Sequence, residues 1–492
     1  MTTRNSIFRF TFLIVLGIFA SLQTSSVAHQ NGATIALRPC EVRGLQGPTQ
    51  CGSLEVFEDR ATRKGRKINL NVVVLPATGK REPDPFFYFA GGPGSAASED
   101  APGIARAFAK IREHRDLVFV DQRGTGQSHP LDCALFNPQE PQSYFEYFFP
   151  LEDVRKCRAD LETKADLKLY TTTIAMDDID EVRAALGYDK INLFGASYGT
   201  RAAMVYLRQH PKRVRTVMLQ GVSPTNMHLP NDYPLQTERA LQGVLAECAA
   251  DEACNKAFPN IKSEVKAVLE RLIKEPITVE FEMQGVPGPI KVTLSRNLAA
   301  EAVRYMLYNP GGAARVPLIL HQAAEGNFAP LAQMALRFRR TLVGTGSNGM
   351  YLTITCAEDL PWIKRSEGES ERLSQTTFLG DYRLHQQLSA CALWPRATVD
   401  SDYFKPVRSA VPVLILTGEW DPVTPPANGD FVARTFSNSL HVVVPHGAHG
   451  FGNLEGTDCI DRLSTEFVER GTTKGLDTAC VKSIRRRGFV LK

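Results

Sequence analysis

Ile191-Asn192-Leu193-Phe194-Gly195-Ala196-Ser197-Tyr198-Gly199-Thr200 is the stretch whose reading decides the fold. A short apolar run, 191–194, enters a G-x-S-x-G turn, and the chain leaves it in the helical run 200–208. Strand, sharp turn and helix together lift a serine hydroxyl above the edge of a sheet. Side chains two residues to either side would crowd so tight a turn, and Gly195 and Gly199 stand at those places. Ser197 is therefore a candidate nucleophile. The backbone N–H of Tyr198, at the helix start, is a candidate donor to a developing oxyanion. An ordinary tight strand-to-helix turn is the rival reading, and the flanking strand and helix weigh against it.

Working outward, buried-strand runs recur at Phe86–Phe89, Leu117–Val120 and 214–219, each closed by Gly or Pro punctuation. A helical pattern over 174–186 places Ile174, Ile179, Val182 and Leu186 near one face, with Gly187 as its stop. Strands alternating with helices predict an α/β protein with a mostly parallel sheet covered on both faces. Ahead of them, the runs 54–57 and 68–75 flank a polar turn and predict a hairpin. After Gly221 the alternation breaks. Residues 224–406 read as mainly helical, with one hairpin around 277–294, and strands return at 411–416 and 440–444. A core formed by 29–223 and 407–492, with 224–406 inserted between two strands of one sheet, fits this order better than consecutive domains do.

A serine needs a base, and the base needs an orienting carboxylate. In this kind of sheet the chain order is Ser, then acid, then His. The strand at 411–416 runs into Thr417-Gly418-Glu419-Trp420-Asp421-Pro422, a rigid turn that makes Asp421 the preferred acid and Glu419 its alternative. The strand at 440–444 runs into Pro445-His446-Gly447-Ala448-His449-Gly450. His449, between small residues, can reach over the elbow; His446, nearer the strand end, suits a supporting role. Strand Phe86–Phe89 leads into Ala90-Gly91-Gly92-Pro93-Gly94-Ser95, where Gly92 is the candidate second oxyanion donor. A phosphate loop is the rival there, but G-x-x-x-x-G-K-[ST] is missing. Asp121 and Arg123, in the turn after Leu117–Val120, suit bracing rather than catalysis.

The chain has 492 residues, too many for one simple core. Residues 1–28 read as a signal peptide: Arg4 and Arg9, a mostly apolar run over 10–22, and Ser26-Val27-Ala28. An N-terminal membrane anchor is the rival, but the run is short for a span, and no later stretch could cross a bilayer. Loss of Arg4 and Arg9 takes the formal charge from +4 to +2, which implies neither nucleic acid nor an anionic membrane as partner. Ten cysteines in an exported chain suggest disulfides, and pairing neighbours in sequence would close five modest loops, though sequence leaves connectivity open. No C-x-x-C occurs, and the two histidines lack a nearby third ligand, so neither a metal nor another cofactor is expected.

On Gly91-Gly92-Pro93-Gly94, Asp121-Gln122-Arg123-Gly124-Thr125-Gly126, Gly195-Ala196-Ser197-Tyr198-Gly199, 418–425 and Gly447-Ala448-His449-Gly450, the chain resembles the proline iminopeptidase and tripeptidyl aminopeptidase family of α/β-hydrolase serine peptidases. The exported, cysteine-containing, tripeptidyl aminopeptidase-like branch is most similar. The resemblance implies an α/β-hydrolase core interrupted by a helical cap, and release of short units, one to three residues, from peptides with free N-termini. One departure is Ala90, where the family often carries histidine before the glycine loop. An aminopeptidase also needs a carboxylate near the cap for the substrate ammonium. Glu358 and Asp359, in Cys356-Ala357-Glu358-Asp359, resemble a cysteine-plus-acid stretch of the family's cap; solvated surface acids are the plainer reading. An esterase or lactonase would use the same triad, and a catalytically silent binding protein could keep the scaffold. Periplasm and external medium both suit the cysteines.

Overall fold

In chain order, the first eleven strands of the computed structural model are β1 (Arg38–Pro39), β2 (Gln50–Asp59), β3 (Lys64–Leu75), β4 (Phe86–Phe89), β5 (Leu117–Val120), β6 (Ile191–Ala196), β7 (Val214–Gln220), β8 (Ile277–Phe281), β9 (Ile290–Leu294), β10 (Val413–Gly418) and β11 (Ser439–Val444). The structure describes residues 1–2, 34–283, 287–344 and 346–492, so the expected leader falls almost wholly outside the described residues. Nine strands form one sheet in the order β1-β2-β3-β5-β4-β6-β7-β10-β11. From β5 to β11 the strands run parallel, and β1 to β3 form an antiparallel margin. Every residue of β4 and β5 is buried, as continuous aromatic and aliphatic runs require when helices cover both faces.

Helix Thr172–Ala185 forms where the 3.6-residue pattern places it, with the Thr171 hydroxyl accepting from the Ile174 N–H. It turns Ala175, Met176, Ile179 and Val182 into the core. The strand expected at 411–416 instead spans Val413–Gly418. Pro412 has no N–H to give the ladder, so regular pairing begins one residue later and runs on to the glycine. Strands β7 and β10 are neighbours, with Val217 opposite Val413, although the whole of 221–412 lies between them in sequence. That intervening chain is mainly helical, with β8 and β9 as a separate hairpin. It has an apolar core of its own around Leu241, Val244, Leu298, Val303 and Leu336, yet it belongs to the same compact unit, 34–492, as the sheet.

The ten cysteines form Cys40–Cys51, Cys133–Cys157, Cys248–Cys254, Cys356–Cys391 and Cys459–Cys480, each bridging neighbours in sequence. Asp121 and Arg123 brace the loops. The Asp121 carboxylate accepts from the Ser98 N–H and hydroxyl and from Asn71, and so holds the helix that follows the glycine loop. Arg123, fully buried, bonds Asp178 through Nε (2.6 Å) and Nη2 (2.9 Å) and donates to the Glu58 and Leu169 carbonyls. Asp178→Asn leaves that guanidinium without its buried counter-charge. We expect a loss of about 3–5 kcal/mol, measured as a lower urea midpoint with the disulfides intact.

Candidate active site

Parallel pairing of β4 with β6 sets Phe89 opposite Gly195, so the glycine loop and the serine turn leave the sheet side by side. Ser197 has φ 57° and ψ −125°, a strained backbone for a residue with a side chain, and its N–H donates to the Gln220 carbonyl at 2.9 Å. Gly199 is required by contact: a Cβ there would lie 2.0 Å from the Phe89 carbonyl oxygen. Tyr198 is the first residue of helix Tyr198–Gln209, so its N–H has no acceptor within the helix. Behind the serine, a Cβ on Gly91 would stand 3.2 Å from the Ser197 Cβ, which brings the glycine loop against that side chain.

Two further loops meet this turn from β10 and β11. A Cβ on Gly418, at the end of β10, would lie 2.0 Å from the Ala448 carbonyl oxygen, so the acid and histidine loops touch backbone to backbone. Asp421 is fully buried. Its Oδ2 accepts from His449 Nδ1 at 2.8 Å and from the Thr424 hydroxyl at 2.8 Å, while Oδ1 accepts the N–H groups of Val423 and Thr424. The His449 ring lies over Gly221, just past β7, and edge-on to Tyr308 with centroids 5.2 Å apart. Ser197, His449, Gly92, Tyr198 and Thr424 line one cavity of about 240 Å³.

A family model described as alpha/beta hydrolase fold matches residues 84–452. The chain belongs to the α/β-hydrolase fold family. Among its relatives, serine protease Hip1 of Mycobacterium tuberculosis is 27% identical, with 91% of each chain covered. Tripeptidyl aminopeptidase of Streptomyces lividans is 25% identical, over 89% of this chain and 84% of that protein. Proline iminopeptidase of Neisseria gonorrhoeae is 30% identical over 36% of this chain and 42% of its own length.

Within this α/β-hydrolase site, the two alternatives weighed for acid and base lie apart from the Asp421–His449 pair and bond to one another. Glu419 accepts the His446 N–H at 3.0 Å, and His446 Nδ1 meets Glu247 at 2.7 Å. Ligand atoms of Glu247, Glu419 and His446 lie within 4.8 Å of one another, but Arg486 already pairs with Glu247 and opposes a cation there.

The expectation for Glu358 and Asp359 needs correction. Both are buried, and neither lines the nucleophile's cavity. Glu358 accepts from the Thr172 N–H and hydroxyl, at 2.7 Å each, and from the Tyr403 hydroxyl. Asp359 pairs with Arg201 at 2.9 Å and accepts the Leu229 N–H. Since the Thr172 hydroxyl also bonds the Tyr198 hydroxyl at 2.6 Å, the two acids tie the insertion to the helix behind the nucleophile. Away from that cavity and bonded to inner groups of the fold, the two acids act as ties, a role that neither family resemblance nor the surface-acid reading anticipated.

Thr424 and Tyr308 were not foreseen. Thr424, three residues after Asp421, carried a weak signal as a hydroxyl in a Pro-rich turn; Tyr308 comes from the insertion and carried none. The Thr424 hydroxyl contacts both Asp421 and His449, at 2.8 and 3.1 Å, and so orients the pair. A hydrogen bond to a charged group contributes about 1.5–3 kcal/mol. Thr424→Val is therefore expected to lower kcat by about ten- to a hundredfold while KM changes little, measured by steady-state hydrolysis of any turned-over substrate.

Proposed function

We propose that this chain is an exported serine aminopeptidase that releases short N-terminal units from peptides through an acyl-enzyme. The observation that carries the reading is that Ser197, on its strained turn, and His449, bonded to Asp421, open into the same cavity as Gly92 and Tyr198. Ser197 Oγ attacks the scissile carbonyl as His449 takes its proton, and Asp421 holds the imidazolium. The N–H groups of Gly92 and Tyr198 stabilise the tetrahedral oxyanion. His449 then protonates the leaving amine. It next takes a proton from water, which attacks the acyl group, and returns that proton to Ser197 as the acid departs.

Relatives named as serine protease and tripeptidyl aminopeptidase, aligned along about nine-tenths of the chain, support peptide substrates. Five disulfides and the basic-then-apolar start of the sequence support export. Among the described residues, no helix is long and apolar enough to cross a membrane.

Since Glu358 and Asp359 do not line the cavity of Ser197, the acids that suit the substrate amine are Glu99 and Asp132. They line a chamber of about 150 Å³. It shares Gly346 and Ser347 with a further, aromatic chamber, which in turn shares Gly92, Tyr233, Tyr308 and Leu342 with the nucleophile's cavity. Burial raises the Glu99 carboxyl above its ordinary pKa, and the negative charges of Asp121, Asp100 and Asp132 add to the rise. That field favours an ammonium group.

Hydrolysis of chromogenic peptides one to three residues long, with free or acetylated N-termini, tests the reading alongside Ser197→Ala. Cleavage of the free-amine set alone, lost in the mutant, is the expected result, and the best substrate's length gives the released unit. Equal cleavage of blocked peptides, or turnover of simple esters only, would replace the aminopeptidase with an endopeptidase or esterase using the same serine.

A further inference from the structure

The aromatic chamber beside the nucleophile's cavity holds more positive charge than its own acids balance. It measures about 140 Å³, and Arg304 and Arg383 reach its wall among Phe148, Tyr308 and Tyr351. Arg304 is matched, since both Nε and Nη2 meet Glu301 at 2.9 Å and Nη1 donates to the Tyr308 hydroxyl. Arg383 is not. It is 5% exposed, its Nη2 donates to the Tyr351 hydroxyl at 3.0 Å, and its Nε and Nη1 have no hydrogen-bond partner among the described residues. Its guanidinium lies over the Phe148 ring.

Behind it, Arg339 is wholly buried and, among the described residues, bonds only the carbonyls of Tyr144, Tyr147 and Phe148, with Nη1 unpartnered. Burial drives the Arg339 guanidinium down to about 10, and the positive charge of Arg383 pushes the same way. Among the described residues neither Arg339 nor Arg383 forms an ion pair with any carboxylate. Elsewhere in this protein buried arginines do: Arg123 with Asp178, Arg201 with Asp359, Arg365 with Asp381.

A buried guanidinium without a counter-charge is costly, and an anion that brings one in recovers that cost. A planar fork stacked on an aromatic ring suits a carboxylate in particular. We propose that this chamber is a subsite for a substrate carboxylate, read by Arg383 with Arg339 adding its charge from behind, and that the enzyme prefers substrates carrying one close to the scissile bond. The inference rests on the aminopeptidase reading for its substrate class, peptides with an aspartate or glutamate in the released unit. The carboxylate itself could come from such a side chain or from the C-terminus of a short peptide.

Three substrate pairs separate these sources. The first is free-amine peptide p-nitroanilides with Glu or Gln at each position before the cut. The second is short neutral peptides ending in a carboxylate or an amide. The third is the p-nitrophenyl monoester of glutarate against its methyl-capped neutral counterpart, which needs no peptidase activity. Each is measured on the wild-type enzyme, Arg383→Gln and Arg383→Lys. We expect the charged member of at least one pair to be favoured about tenfold or more in kcat/KM. That ratio should collapse in Arg383→Gln and return in part in Arg383→Lys. Preference for the glutarate monoester without peptide cleavage would end the peptidase reading and leave the subsite standing. If charged and neutral members turn over alike in every pair, or the ratio survives Arg383→Gln, the subsite is overturned. Should Arg383→Gln fail to fold by circular dichroism, the Arg383→Lys ratio and calorimetric binding of the Glu and Gln peptides and of glutarate to Ser197→Ala decide the matter. Equal peptide affinities with no glutarate binding overturn it there too.

Discussion

Everything at this site hangs on the close approach of two backbones, where Gly199 meets the Phe89 carbonyl with no room for a Cβ. That approach clamps the helix start beneath the end of β4, and Ser197 is left at a positive φ that nothing local favours. The strain is tolerated because β4, β6 and β7 are largely buried and pair without a break from Asn192 to the turn, so the turn cannot relax without disturbing the sheet. The same crowding brings the glycine loop against the serine. A second approach of this kind, Gly418 on the Ala448 carbonyl, joins the loops of Asp421 and His449. Two glycine contacts thus set the relative positions of four loops drawn from across the chain.

The insertion is joined to that centre by charge as well as by packing. Arg201, on the helix after the nucleophile, and Asp359, at the end of an inserted helix, are both wholly buried and paired. Beside them Glu358 reaches the same helix through Thr172 and Tyr198. A buried ion pair adds little net stability over apolar packing, but losing one partner is severe, so such a pair acts mainly to hold one arrangement. Here it holds the inserted helices over the cavity, where Tyr308 touches His449 and Arg304 touches Tyr308. His449 thereby touches, through Tyr308, the chamber whose charge Arg383 leaves open.

Legibility in the sequence followed the range of the forces involved. The strands β4 and β5 were readable to the residue, because a run buried on both faces has to be apolar throughout. β10 was displaced by two residues because pairing responds to a missing N–H at Pro412, which hydrophobicity does not register. The pairing of neighbouring cysteines was open in the sequence and took the simplest form in the structure. Glu358 and Asp359 were misread because an acid's role depends on whether a cation or a hydroxyl stands beside it after folding. Thr172, Arg201 and Tyr403 lie far from them in the chain.

The sequence by itself determined the α/β class, the helical interruption between two strands, and the glycine-flanked strand-turn-helix that carries Ser197. These depend on local periodicity, on turns only glycine can make, and on residues a few positions apart. Tertiary structure alone decided that Thr424 and Tyr308 contact His449, that the acids at 358 and 359 serve as ties, and that Arg339 and Arg383 lie buried with no carboxylate paired to them among the described residues. Each of these is a matter of burial and of partners distant in sequence. Electrostatic energy depends on distance and on the exclusion of water, and neither exists until the chain has folded.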